Sequence, residues 1–255
     1  MVGKAALVSV MSGREVDDLR KRAGITGALY VGNHGVEYLD GARLEVVPGV
    51  GEHHDLIERL LAHIRRTVQD SGLVFQDKRY SASVHFRLSK DHEKARQAIE
   101  EATAASPDAA ALEIFWGKQV LEIRAPLGVN KGYAMRKLVA EYRLDAAMFL
   151  GDDITDLDAI MAVREMSGRH GFTGLGVAVA HHDSPAAVLD GSDCVLNGVD
   201  EVDAFLEWLA GVLGGGRRAA SVSCCRSGRP PYRPPTAVIY WTVIVPVMPP
   251  CSSQA

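Results

Sequence analysis

Three carboxylates fall within five positions in Asp152-Asp153-Ile154-Thr155-Asp156, directly after the apolar run Met148-Phe149-Leu150 and Gly151. A buried strand that ends in glycine and acids sets hard oxygen donors at its C-terminal edge, where ligands bind in open α/β sheets. Such donors suit Mg²⁺, which takes one or two protein carboxylates together with water and phosphate oxygens. Asp152, Asp153 and Asp156 are therefore candidate metal ligands; capping the next helix is the other use, for which one Asp is enough. The run Val8-Ser9-Val10-Met11-Ser12-Gly13-Arg14 repeats the pattern of a buried strand followed by a turn. A hydroxyl and backbone amides at a helix start can cradle a phosphate there, or Ser12 is an N-cap. Val129-Asn130-Lys131-Gly132 opens a further helix. A lysine in the first turn opposes the helix dipole unless an anion sits beside it; a solvated surface lysine is the alternative.

These residues need elements to position them. Ala5–Val10, Ala28–Val31, Ala146–Leu150 and Gly174–Ala180 are short strand-like apolar runs. Helical spacing covers Glu15–Ala23, Tyr133–Tyr142, about 153–163, and Val199–Leu213. Continuous apolar strands alternating with helices predict an α/β fold, a Rossmann-like parallel sheet covered on both faces. The middle of the chain reads differently. Leu73–Lys78 with Ser81–Leu88, and Ala111–Trp116 with Gln119–Arg124, predict two antiparallel pairs separated by a helix over Asp91–Ala105. Residues 50–125 thus read as an α+β cap inserted into a core made of residues 1–49 and 126–213. Gly214-Gly215-Gly216 then opens a stretch rich in Arg, Ser and Pro without a period, so residues 214–255 read as a disordered or out-of-frame tail.

Composition bounds the partners. The chain is 47% hydrophobic and 24% charged over 255 residues, an ordinary globular balance. Its longest clean apolar stretch, Ala237–Pro246, falls short of the ~20 residues of a bilayer span. No small-residue cleavage site follows the opening apolar run, so a cytoplasmic protein is expected. The net charge of −4 hides a split: residues 217–255 hold five arginines and no acid, which leaves −9 on residues 1–216. That balance argues against nucleic acid as the main partner. Three of the four cysteines lie in the tail, so disulfides do not frame the body.

Five words occur in order: Gly32-Asn33-His34-Gly35-Val36-Glu37, Ser83-Val84-His85-Phe86-Arg87, Lys118-Gln119-Val120-Leu121-Glu122-Ile123-Arg124, Asn130-Lys131-Gly132 and the run from Gly151 to Asp158. From about Ala5 to Leu213 the chain resembles the trehalose 6-phosphate phosphatases of the haloacid dehalogenase superfamily. The resemblance implies an aspartate that attacks phosphorus, water that then hydrolyses the aspartyl-phosphate, and Mg²⁺ with a lysine to neutralise the phosphoryl charge. It implies Ser12 and Lys131 as the catalytic residues that hold the phosphate, and Asp152, Asp153 and Asp156 around the metal. Arg14, Asn33, His34, Glu37, Arg87, Lys118, Glu122 and Arg124 would bind the substrate, trehalose 6-phosphate. Of these, Arg87, Lys118, Glu122 and Arg124 would read the sugar from the cap. A turn after a strand also explains Asn33 and Gly35, and a cross-strand salt bridge also explains Lys118 and Glu122.

One departure is serious. The family carries its nucleophile in an Asp-x-Asp-Gly-Thr motif on a strand upstream of Ser12-Gly13-Arg14, and this chain contains no such motif. The expectation is therefore a fragment with impaired activity, whose sheet lacks its central strand and leaves two edges unpaired. A non-catalytic protein that binds a sugar phosphate, or a phosphatase for another sugar phosphate, are the alternatives.

Overall fold

The computed structural model describes residues 5–117, 119–169, 171–213 and 242–244. In chain order it begins with β1 (Leu7–Met11), α1 (Val16–Ala23), β2 (Leu29–Gly32), β3 (Glu37–Asp40) and β4 (Arg43–Val46). The middle stretch is α2 (His54–Thr67), β5 (Val74–Asp77), β6 (Ser81–His85), α3 (His92–Ala104), β7 (Glu113–Gly117) and β8 (Val120–Arg124). The chain continues through α4 (Lys131–Glu141), β9 (Ala146–Gly151), α5 (Ile154–Met166), β10 (Thr173–Ala180), α6 (Ala186–Asp190), β11 (Cys194–Asn197), α7 (Gly198–Leu213) and β12 (Thr242–Ile244). It divides into two units, Met1–Leu44 with Val129–Ala255, and Glu45–Gly128.

The first unit is built on a sheet of order β11-β10-β9-β12-β1-β2-β3-β4. Every residue of β1 and of β9 is buried, which is why both runs, Ser9 apart, are apolar without alternation. β1 pairs parallel with β2, and β10 pairs parallel with both β9 and β11, as the strand–helix alternation predicts. β3 was not legible. Asn33, His34 and Gly35 take three successive positive φ angles, 47°, 57° and 109°, and reverse the chain so that β3 runs antiparallel beside β2. Helices bury their apolar stripes on the sheet: Val16 and Leu19 of α1 join Val8, Val10 and Tyr30. Phe205 and Leu209 of α7 join Met148, Leu150, Val177 and Leu196.

One expectation needs correction. β12 falls inside the segment read as a disordered or out-of-frame tail, and it lies in the sheet. It pairs antiparallel with β1 (Ser9 opposite Thr242) and with β9 (Thr242 opposite Phe149), so the gap expected between those strands is filled. The physical reason is that facing rows of unpaired N–H and C=O groups are satisfied by an extended, β-branched segment such as Thr242-Val243-Ile244. Residues 214–241 and 245–255 lie outside the described residues. The α/β core expected from the strand–helix alternation is present: the sheet is parallel within its two halves, with β3 and β12 as antiparallel additions.

The second unit is a four-stranded antiparallel sheet of order β5-β6-β8-β7. Period-2 alternation sends Ala82, Val84, Leu121 and Ile123 to one face, where they meet Ile57, Leu60 and Ile64 of α2 and Ile99 of α3. Ser83 and Glu122, paired across β6 and β8, point to the other face. Among the described residues no helix is long and apolar enough to cross a membrane.

Candidate active site

β12 runs antiparallel to both β1 and β9, so those two strands run the same way and end at one edge. Ser9, Thr242 and Phe149 form one row of the sheet. Ser12 and Asp152 each stand three residues beyond that row, two strand spacings of about 4.8 Å apart along the sheet. The edge where Ser12 ends one strand is therefore the edge where Asp152 ends another. This is the arrangement expected of a ligand site in an open α/β sheet.

Asp156 anchors this edge. Its Oδ2 accepts the N–H groups of Asp152 (3.1 Å) and Asp153 (3.0 Å), and its Oδ1 accepts Lys131 Nζ at 2.6 Å. Asp156 has no exposure and Lys131 only 2%, so this is a fully buried ion pair. Two glycines make it possible. A Cβ on Gly151 would sit 2.4 Å from the Asp156 Cβ, so only glycine lets Asp156 fold back under the strand end. A Cβ on Gly132 would sit 2.5 Å from the Asp158 carbonyl oxygen, so α4 can lie close against α5 and deliver Lys131. Asn130 caps α4, its side chain accepting the Tyr133 N–H at 2.8 Å. The lysine expected to need an anion at the helix start has one in Asp156.

Asp152 is in a different position. It is buried, its Oδ1 accepts no hydrogen bond from the described residues, and Oδ2 meets His181 Nε2 at 2.9 Å. Burial, and then the neighbouring Asp156 charge, push its pKa up to about 6, against the pull of His181. A buried carboxylate with an unsatisfied oxygen is costly unless a cation completes it. With half-buried Asp153 beside it, this donor set suits a divalent cation. Asp156 contributes from behind, since both of its oxygens are committed to Lys131 and the two amides.

Ser12 is buried, and its Oγ accepts the Arg14 N–H at 3.3 Å. Arg14 itself turns to solvent in an ion pair with Asp18 at 3.0 Å. Asn33, His34 and Glu37 are all buried. Glu37 Oε2 accepts Asn33 Nδ2 at 2.7 Å and the Val16 N–H at 3.1 Å, tying the β2–β3 turn to the first turn of α1. Burial raises the Glu37 pKa, opposed by those two hydrogen bonds. The His34 ring lies over Gly13, where a Cβ would come within 2.3 Å of its Nε2. In the second unit, Glu122 accepts Lys78 Nζ at 3.1 Å and Ser83 Oγ at 2.7 Å. Arg124 forks onto Glu113 with two contacts of 2.8 Å, and Arg87 is exposed beside His85. Lys118 lies outside the described residues.

Sequence reading missed His181, Asp183 and Lys78. His181-His182-Asp183 directly follows β10, whose middle is buried, a strand-then-polar signal like the one that singled out Asp152, and could have been found by that rule.

Fold and site together define a class, an α/β core that carries a charged site at one edge of its sheet and an inserted α+β unit. The trehalose-phosphatase family matches residues 4–188, and the chain belongs to that family. A trehalose-phosphate phosphatase of Mycolicibacterium paratuberculosis is 31% identical over 194 residues, covering 69% of this chain and 45% of that protein. The chain thus spans about half the length of the curated phosphatase relatives it matches. The C-terminal domain of C. albicans trehalose-6-phosphate phosphatase shares the fold with a TM-score of 0.64 at 20% identity, covering 84% of this chain and 82% of that one. A trehalose-6-phosphate phosphatase related protein does so at 0.62 and 22% identity, covering 81% of each chain.

Proposed function

We propose that this site is built to hydrolyse trehalose 6-phosphate to trehalose and phosphate, and that the 255-residue chain binds this substrate without turning it over at a family-like rate. The observation that carries the reading is the buried Lys131–Asp156 pair beside a partly unsatisfied Asp152. Ser12 Oγ accepts from Arg14, which leaves its hydroxyl proton to donate to a phosphoryl oxygen. Lys131, held in place by Asp156, brings a fixed ammonium to the phosphate without reorganising. Asp152, with Asp153 beside it, would hold Mg²⁺, which when bound supplies positive charge against the phosphoryl oxygens. In the second unit Glu122, fixed by Lys78 and Ser83, and Arg124 and Arg87 offer charged partners to sugar hydroxyls. The reading goes with a cytoplasmic location, where phosphorylated sugars are made and retained by their charge.

The second half of the proposal rests on chemistry. The chain has no Asp-x-Asp-Gly-Thr, and the carboxylates of the site are otherwise engaged: Asp156 with Lys131 and two amides, Asp152 with His181. Neither serves as an in-line nucleophile. Calorimetric titration of the whole chain with trehalose 6-phosphate and Mg²⁺, paired with a phosphate-release assay, tests both halves. Binding without release is expected. Absence of binding would remove the phosphatase-type site, and rapid release would require a nucleophile elsewhere. A panel of other sugar phosphates decides whether trehalose is the preferred sugar.

A further inference from the structure

Among the described residues, one group of three His, Cys, Asp or Glu side chains brings its donor atoms within 4.8 Å of one another: His181, His182 and Asp183. It lies just past β10, at the edge that carries Asp152. His181 Nδ1 is 2.6 Å from Asp183 Oδ1, and its Nε2 is 2.9 Å from Asp152 Oδ2. His182 Nε2 is 3.7 Å from Asp183 Oδ2. The turn is held by Ser184, whose Oγ accepts the His181 N–H at 2.8 Å and whose N–H donates to the His181 carbonyl at 3.2 Å. The three side chains are 29–58% exposed, so an ion can reach them.

We propose that His181, His182 and Asp183 bind a nitrogen-preferring divalent cation of the Zn²⁺ class, with His181 as the link between that ion and Asp152. Both ring nitrogens of His181 face carboxylate oxygens, yet a neutral imidazole has a single N–H to give. If Nε2–H goes to Asp152, a cation at Nδ1 satisfies the contact with Asp183. A metal-bound histidine donating its second nitrogen to a carboxylate is the usual outer-shell arrangement. A second observation points the same way. Asp152 is only 6% exposed and its Oδ1 has no hydrogen-bond partner among the described residues, so this carboxylate gains from positive charge nearby. Two imidazoles and one carboxylate with an open fourth position suit Zn²⁺, Co²⁺ or Ni²⁺. Mg²⁺ prefers oxygen alone, so the two ions occupy different seats.

The test is Zn²⁺ titration of the full chain in competition with a chromophoric chelator, after alkylation of accessible cysteines. Co²⁺ provides a visible absorption signature that reports nitrogen ligation independently of activity. One equivalent of Zn²⁺ is expected, retained in a large excess of Mg²⁺. His182→Asn and Asp183→Asn should each weaken it at least tenfold, and Asp152→Ala by about 10- to 100-fold through the lost outer partner. Both exposed substitutions leave the fold intact, which circular dichroism checks. Equal Zn²⁺ affinity in parent and variants, or displacement by equimolar Mg²⁺, would overturn the site while leaving the phosphatase reading untouched.

Discussion

Replacing Asp152 by Asn separates the stability of the core from its chemistry. In the folded chain the Asp152 pKa is raised from 3.8 to about 6, first by burial and then by Asp156. In the unfolded chain the carboxyl ionises near its ordinary value. Between about pH 4 and pH 6 the native state therefore holds more protons, and the contribution of this group falls as pH rises through that window. A difference of about two pKa units at 1.36 kcal/mol each corresponds to roughly 3 kcal/mol of lost stability at pH 7. Asn has the same shape, and its carbonyl oxygen can still accept from His181, so most of that cost is recovered. Urea denaturation in chelator should show Asp152→Asn more stable than the parent by about 1–3 kcal/mol at pH 7.5. No gain is expected near pH 4. Added Mg²⁺ should stabilise the parent by ligand linkage and leave the variant unmoved. A variant that is less stable than the parent by the same amount at both pH values would refute the account, because the carboxylate would then be a net stabilising partner.

Lys131→Met leaves the Asp156 charge buried without its ammonium, so unfolding free energy should drop by about 3–5 kcal/mol, with much of the loss restored when Asp156→Asn is added. Gly151→Ala sets a methyl where the Asp156 Cβ lies 2.4 Å away; overpacking of this kind costs about 1–3 kcal/mol, and phosphate binding measured by calorimetry should weaken with it. Glu122→Ala should weaken trehalose 6-phosphate binding about ten- to a hundredfold while leaving inorganic phosphate binding unchanged. Equal losses on both ligands would make Glu122 a structural partner of Lys78 and Ser83.

Much of the core was legible because its information is local. The apolar runs around Val8 and Phe149 had to be buried strands, and the helices that follow them read from their stripes. The acids after Leu150 and the Ser-Gly after Met11 announced a sheet-edge site. β3 was not legible, since Glu37-Tyr38-Leu39-Asp40 is short and flanked by acids, and only the left-handed turn at Asn33–Gly35 folds it back. β12 was not legible either, because a three-residue strand acquires meaning only from the gap it enters.

By itself the sequence determined which residue types stand at the ends of which strands, because periods of 2 and 3.6 are properties of neighbouring residues. It pointed to carboxylates and a serine-glycine turn at strand ends, and to a lysine at a helix start, as candidates for chemistry. Only the tertiary structure decided how they are used. Lys131 meets Asp156 across 25 residues of chain, and His181 meets Asp152 across 29. Those contacts depend on the close packing of α4 on α5 and on the register of β10 beside β9, which no local pattern encodes. Asp156 is buried behind the site and Asp152 is left partly unsatisfied at its front because a single glycine, Gly151, lets the chain fold one carboxylate under the strand end and leave the other above it.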